Sequence, residues 1–467
     1  RCRGAAPRTL LRFRAAPPRR AARTRECGGT IVATQQRERD ADGMTPPTLE
    51  SPARRHFRRN VALTLGEAVC FSLGMAFFDS GTVIPGFIIA LGGSAILLGL
   101  APTVLQLGMG LPQLAAASFL AHRPRKMPFL VGASIVRNIP FFALAALAWA
   151  RPGPATLLAA FFAGYLLFAL GMGLESIAWM DIFAKVYPAR QRGRIVAVGR
   201  TAANVLAIGA GFLISRILAG GDFPRDYAAL FLIAGVLMTG AFLSFAGVRE
   251  PVESPAPGDE APGERAVLAQ GRRVLREDPT FRRYLAARFV YTAYYVALPF
   301  YFRYAHDVVG LGDVAIGRFV SASMGGQIVA NLLWGYLGDR FGSKRVVQGI
   351  LAIGLLLPFY VLATPHLPRD AFLLVYVATG AILAGDLIGW MNLLLALAPA
   401  GRRPLYVSLQ GTLLLPANLL PLLGGVALNV IPYAAFFAAV AAAFAVSLWL
   451  ISRVDEEVGR SGSRGVG

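Results

Sequence analysis

Long apolar runs fill most of this chain, and charged residues or Gly/Pro clusters return to interrupt them. Reading each run up to its punctuation predicts twelve helices. They fall at roughly 61–91, 94–120, 128–150, 155–182, 195–218, 226–247, 284–304, 314–337, 346–364, 371–398, 405–428 and 432–452. Each is long enough to cross a hydrocarbon core about 30 Å thick at about 1.5 Å per residue. The first run is overlong, and Pro85 predicts a bend in it.

The pattern breaks on a larger scale between the sixth and seventh runs. Residues 248–279, VREPVESPAPGDEAPGERAVLAQGRRVLREDP, begin as a linker rich in Pro, Gly and Glu. The portion ERAVLAQGRRVLRE has the spacing of a short basic amphipathic helix for a membrane surface. The expected organisation is a basic, disordered segment 1–59, a six-helix bundle 60–247, a cytoplasmic linker 248–280, a second six-helix bundle 281–452 and a tail 453–467. The fold class is thus an all-α polytopic membrane protein.

The two halves carry a repeat. ESIAWMDIFAKVYPARQR from Glu175 lies beside DLIGWMNLLLALAPAGRR from Asp386 at a constant offset of 211 residues. That offset matches Glu175 with Asp386, Trp179 with Trp390, Met180 with Met391, Asp181 with Asn392, Pro188 with Pro399 and Arg192 with Arg403. The fourth and tenth runs are therefore equivalent, and two pseudo-symmetric bundles around a crevice suit alternating access.

Composition agrees: 15% of residues are charged and 55% hydrophobic, where soluble domains carry about 25% charge. The net charge of +20 follows the loops of a membrane protein rather than a nucleic-acid surface. One set of loops holds nineteen Lys and Arg. The other holds Arg151, Arg225, Arg303 and Arg369, or six with the flanking Arg216 and Arg318. The bias places both termini in the cytoplasm, with a bacterial inner membrane as the expected location. Residues 1–43 hold eleven Arg and no Lys, and a start at Met44 would make them an upstream over-translation. Cys2, Cys27 and Cys70 form no disulfide or zinc pattern, and the four histidines sit near predicted helix ends, so neither metal nor cofactor is expected.

GYLGDRFGSKR, 335–345, sits between the eighth and ninth runs and supplies Gly335, Gly338, Asp339, Arg340, Gly342, Lys344 and Arg345. The paired glycines suit close helix packing and Gly342 a tight turn, while Asp339 at a helix C-terminus needs a cation or a helix N-terminus to compensate it. Its first-half counterpart, SFLAHRPRKM, has His122 in place of the Asp but keeps Arg123, Arg125 and Lys126. With twelve runs, a central linker and the duplication, the chain resembles the major facilitator superfamily, whose signature reads roughly G-x-L-[AG]-D-R-x-G-[RK]-[RK]. The resemblance implies a secondary transporter for a small solute, with the charged loops as a cytoplasmic gate and the first, fourth, seventh and tenth spans lining the cavity.

Charges inside a bilayer are costly, so each is a pathway candidate. Asp79, Glu175 and Asp386 fall on three of the implied cavity spans, and a carboxylate held from water can exchange a proton near neutral pH. Glu175 and Asp386 fit coupling and gating equally, the latter by bonding the loop helices. Gln106, Asn392, Tyr294 and Tyr295 complete the pathway set, the tyrosines as an aromatic wall or as packing. Arg137 suits a structural ion pair, whereas Glu67, Arg200 and Arg288 lie near enough to helix ends to snorkel. The expected function is a proton-coupled, monomeric permease, export favoured over uptake. The alternatives are a lipid-handling protein or a non-transporting receptor. No catalytic constellation or nucleotide loop argues for an enzyme.

Overall fold

The structure, a computed structural model, describes residues 52–121, 123–251, 264–399 and 402–454. The expectations for residues 1–43, His122 and the Pro-rich part of the linker lie outside the described residues. The described residues from His56 onward form one compact unit.

The first apolar run folds as two helices, α1 (Pro52–Phe77) and α2 (Val83–Ala90). The first half continues with α3 (Ala95–Ala121), α4 (Met127–Ala150), α5 (Pro154–Val186), α6 (Ala189–Leu218) and α7 (Arg225–Ala246). The linker contributes α8 (Glu264–Glu277). The second half comprises α9 (Pro279–Tyr291), α10 (Ala293–Tyr304), α11 (Ala315–Phe341), α12 (Ser343–Ala363), α13 (Leu373–Leu397), α14 (Arg403–Leu414), α15 (Leu420–Ala427) and α16 (Tyr433–Ser452).

The break in the first run is not at Pro85. It spans residues 78–82, where the Asp79 carboxylate accepts hydrogen bonds from the Gly81 backbone N–H (3.0 Å) and the Thr82 hydroxyl (2.7 Å). Pro85 falls in the first turn of α2, where a backbone N–H has no intrahelical partner to lose. Phe78, in the break, packs edge-on against Phe141 at 4.8 Å, Phe168 at 5.5 Å, and Tyr165 and Phe231 at 5.6 Å. Rings from α4, α5 and α7 thereby hold the interruption in the core of the first half.

Among the described residues, ten helical stretches are long and apolar enough to cross a membrane. The seventh and eighth predicted runs are the two that fall short. The seventh divides at Thr292 into α9 and α10 and carries Arg288 and six tyrosines. The eighth, α11, is 27 residues long but holds Arg318, Gln327, Asn331, Asp339 and Arg340. Both load polar groups where lipid cannot satisfy them, so their partners must be protein or water.

The halves meet chiefly through two helix pairs, α3 with α15 and α6 with α11, and α10 also touches α2 and α3. A Cβ on Gly99 would strike the Pro421 carbonyl, and one on Gly425 the Ala95 carbonyl. Gly211 and Gly317 exclude side chains from each other's carbonyls in the same way. The Ser321 hydroxyl donates to Ile208 O and the Ser215 hydroxyl to Val314 O, each at 2.8 Å. With no hydrophobic force between helices in lipid, such close backbone approach is what holds them. All of these contacts lie toward the side of the molecule opposite α8, the far side; the side of α8 is the linker side.

Candidate solute-binding cavity

Beneath the far-side contacts, toward the linker side, lies a cavity of about 410 Å³. The first half supplies Glu67 and Phe71 from α1, Arg137 from α4, Glu175 and Trp179 from α5, and Arg200 and Asn204 from α6; the second half supplies Gln327 and Asn331 from α11 and Ala384 from α13.

Its charged wall is built on Arg137, which is 1% exposed. Gly171 lets α5 lie directly on the Arg137 backbone, which brings Glu175 beneath the guanidinium. Arg137 Nη1 and Glu175 Oε2 are 2.5 Å apart, and the Ser134 hydroxyl donates to Glu175 Oε1 at 2.9 Å. Arg137 Nε donates to Asn138 Oδ1 at 3.2 Å, and the guanidinium lies over the Phe71 ring at 5.6 Å. Arg137 Nη2 is buried without a hydrogen-bond partner among the described residues. Glu67 lies within electrostatic range of both Glu175 and Arg137. The wall therefore sets two carboxylates against one guanidinium, and a proton would balance it.

Asp386, the repeat partner of Glu175, sits in a different setting. It is paired with Arg288 and accepts from the Tyr295 hydroxyl at 2.9 Å. The Arg288 guanidinium is sandwiched between Tyr291 at 4.9 Å and Trp390 at 5.1 Å. Arg288 does not snorkel, and Asp386, 7% exposed, is saturated. Neither acid reaches the loop helices that a gating role would require; each pairs with an arginine of its own half. The arginines come from non-equivalent positions, α4 and α9, so the repeat preserves the acid and not its partner.

Asp79, Gln106, Asp386, Asn392, Tyr294 and Tyr295 are not lining residues of this cavity. Tyr294 stacks on Tyr291 with centroids 6.0 Å apart and donates to Thr379 O at 3.2 Å, so it serves packing within the second half. Asn392 is exposed. Conversely, Glu67, Arg137, Arg200 and Trp179 belong to the cavity. The legible signal was arithmetic: the first half places the acids Glu67, Asp79 and Glu175 in its spans against one mid-depth Arg, Arg137.

The charged loop after α11 also differs from expectation. Gly342 has φ of 85°, a left-handed conformation that favours glycine. A Cβ on Gly335 would meet nothing and one on Gly338 only ordinary contact with Val346, so the paired glycines pack no neighbour here. Asp339 is exposed, with no ion pair among the described residues. Lys344 Nζ instead binds the last carbonyls of the α16 end, Ser452 O at 3.1 Å and Val454 O at 2.6 Å. Arg340 donates to the Tyr336 hydroxyl at 2.6 Å and Arg345 to Gln348 Oε1 at 3.0 Å. In the first half the missing acid is supplied from elsewhere. Glu250, just after α7, accepts from the backbone N–H groups of Lys126 and Met127 at 2.9–3.0 Å and so caps α4. Lys126 Nζ pairs with Asp181 at 2.7 Å, while Arg123 and Arg125 are exposed.

A model of the family described as MFS/sugar transport protein matches residues 117–399, more than half of the chain. The chain belongs to that family. A curated relative, an uncharacterised protein of Mycobacterium tuberculosis, is 26% identical over 356 residues, covering 74% of this chain. The match spans 63% of that relative's own length. Among solved structures, a mutant form of the nucleoside transporter NupG superposes with a TM-score of 0.65 at 12% identity, covering 85% of this chain and 99% of that one. A bacterial homologue of the iron transporter ferroportin, in an inward-facing state, gives 0.63 at 14% identity, covering 85% and 98%. These likenesses establish the all-α MFS fold.

Proposed function

We propose that this MFS protein is a secondary transporter that moves a small solute by alternating access, coupled to protons. The observation that carries the reading is the one-sided seal: α3–α15 and α6–α11 close the far side while a cavity lined by both halves remains beneath them. Lys and Arg crowd the loops on the linker side, so by the positive-inside rule that side is cytoplasmic and this state faces inward. Family membership and the neighbouring transporters support the class, and the cavity walls support the coupling.

Coupling is assigned to Glu67 and Glu175 through Arg137. With both carboxylates ionised the wall is one negative charge in excess; one bound proton neutralises it and lets the linker side close over it. Asp79, bonded within its own turn, and Asp386, paired with Arg288, hold structure. The loop residues Asp339, Arg340, Lys344 and Arg345, with Arg123, Arg125 and Lys126, form the cytoplasmic gate. The protein acts as a monomer in the inner membrane.

Proteoliposomes with an imposed pH gradient test this directly. Solute flux should follow the gradient in the wild type. Glu175→Gln and Glu67→Gln should each retain binding and exchange while gradient-driven accumulation collapses. Flux that ignores the gradient, or survives both substitutions, defeats the coupling assignment.

A further inference from the structure

The cavity is charged on two walls, and only one carries groups of both signs. Arg137, Glu175 and Glu67 face one another. Arg200, on α6, is exposed and borders the same cavity with no hydrogen bond or ion pair among the described residues. It stands eleven residues into α6, about 16 Å at 1.5 Å per residue, beyond what its own side chain can span back to the helix end. Around it are neutral amides: Asn204 one turn along α6, and Gln327 and Asn331 on α11. Gln327 Nε2 reaches only Met324 Sδ at 3.5 Å, and no hydrogen bond engages the side chain of Asn204 or Asn331 among the described residues. Phe71 and Trp179 supply an apolar face nearby.

We propose that the cavity binds a small organic anion, its carboxylate or phosphate group on Arg200 between α6 and α11 and its apolar body toward Phe71 and Trp179. The proposal rests on the transporter reading above and names its substrate class. The placement follows from the helix pair. α6 and α11 are sealed at Ile208–Ser321, and Arg200 lies about two turns below that seal, where the two helices must come together when the linker side closes. Closing an empty cavity would bury an uncompensated guanidinium against amides. A bound anion supplies the missing charge, and the amides of both halves supply its remaining hydrogen bonds. Substrate would then act as a bridge between the halves and license closure, with a neutral analogue unable to do so. The volume falls in the range of small-molecule sites.

Equilibrium binding to purified, detergent-solubilised protein, with no gradient present, provides the test. The probes are benzoate, phenyl phosphate, benzyl alcohol and benzylamine, read by calorimetry and by the shift in melting temperature. One or both anions should bind, and the neutral and cationic probes should not. Which anion binds identifies carboxylate or phosphate as the head group. Arg200→Gln should weaken anion binding by roughly tenfold or more, and Arg200→Lys should retain part of it. Binding of benzyl alcohol or benzylamine as tight as that of the anions, absence of binding by both anions, or full anion affinity in a folded Arg200→Gln protein would each overturn the proposal. Since no flux is measured, gradient-driven transport without anion binding would sink this inference and leave the transporter reading standing.

Discussion

Arg137, buried, and Arg288, half-buried, are both paired with repeat-equivalent acids, yet removing the acids should have opposite consequences. Asp386→Asn leaves Arg288 between two aromatic rings with no other ion pair among the described residues, and breaking such a pair costs about 3–5 kcal/mol. The melting temperature should fall sharply, with solute binding lost only through unfolding. Glu175→Gln leaves Glu67 able to compensate Arg137, so stability should change far less while gradient-driven flux falls. Thermal unfolding measured alongside flux separates the two, and equal destabilisation would mean that Glu67 does not share the guanidinium. Outside the spans, Asp307 lies in the turn Ala305–Val309 after α10. Partial burial raises its pKa, but His306 at 3.0 Å, the Tyr433 hydroxyl at 2.9 Å and the Arg303 charge outweigh that and hold it below the usual carboxylate value. A depressed folded pKa contributes stability above the unfolded value, lost as pH falls through the folded one. Between neutral pH and about pH 3, the wild type should therefore lose more thermal stability than Asp307→Asn. Parallel melting profiles would show that these contacts contribute nothing.

At the scale of elements, apolar run length located nearly every span because lipid demands continuous internally bonded helix. It could not locate the interruptions. Pro85 drew attention as a helix breaker, yet the break belongs to Asp79, whose side chain satisfies the backbone of the turn. Tertiary rings around Phe78 then hold it, and no local pattern records those. The glycines divide in the same way. Gly335 and Gly338 stand in a recognisable motif and touch little, while Gly211 and Gly317 stand in no motif and carry the α6–α11 seal. Gly317→Leu should therefore drive these helices apart on the far side and shift the population away from this state. With a cysteine at Ser321 in a Cys70→Ser background, labelling by a membrane-impermeant maleimide from the far side should accelerate severalfold. Gly335→Leu should leave that labelling unchanged, and acceleration by both would deny the seal its specificity.

Taken as a whole, the molecule is a near-repeat whose two halves hold their linker-side loops by different means. In the first, Glu250 caps α4 and Lys126 is held by Asp181, so the start of α4 is fixed within its own half. In the second, Asp339 stays exposed at the end of α11, and the helix pair itself identifies what it would meet. Ile208 and Ser321 are in contact on antiparallel α6 and α11. Eighteen residues toward the linker side from each lie Arg190 and Asp339, and eighteen residues are five full turns at 3.6 per turn. Arg190 therefore lies on the face of Ile208 and Asp339 on the face of Ser321. If α6 and α11 swing together about the seal as rigid rods, these two charges come face to face at the N-terminus of α6, where a carboxylate is also favoured by the helix dipole. Asp339→Asn and Arg190→Gln should each slow flux without weakening solute binding to the inward-facing state. The exchange Asp339→Arg with Arg190→Asp should recover the pairing but not the dipole term, and so restore flux in part. Full activity in either single variant would reduce the charged loop to a topology signal, and failure of the exchange would place the partner of Asp339 elsewhere.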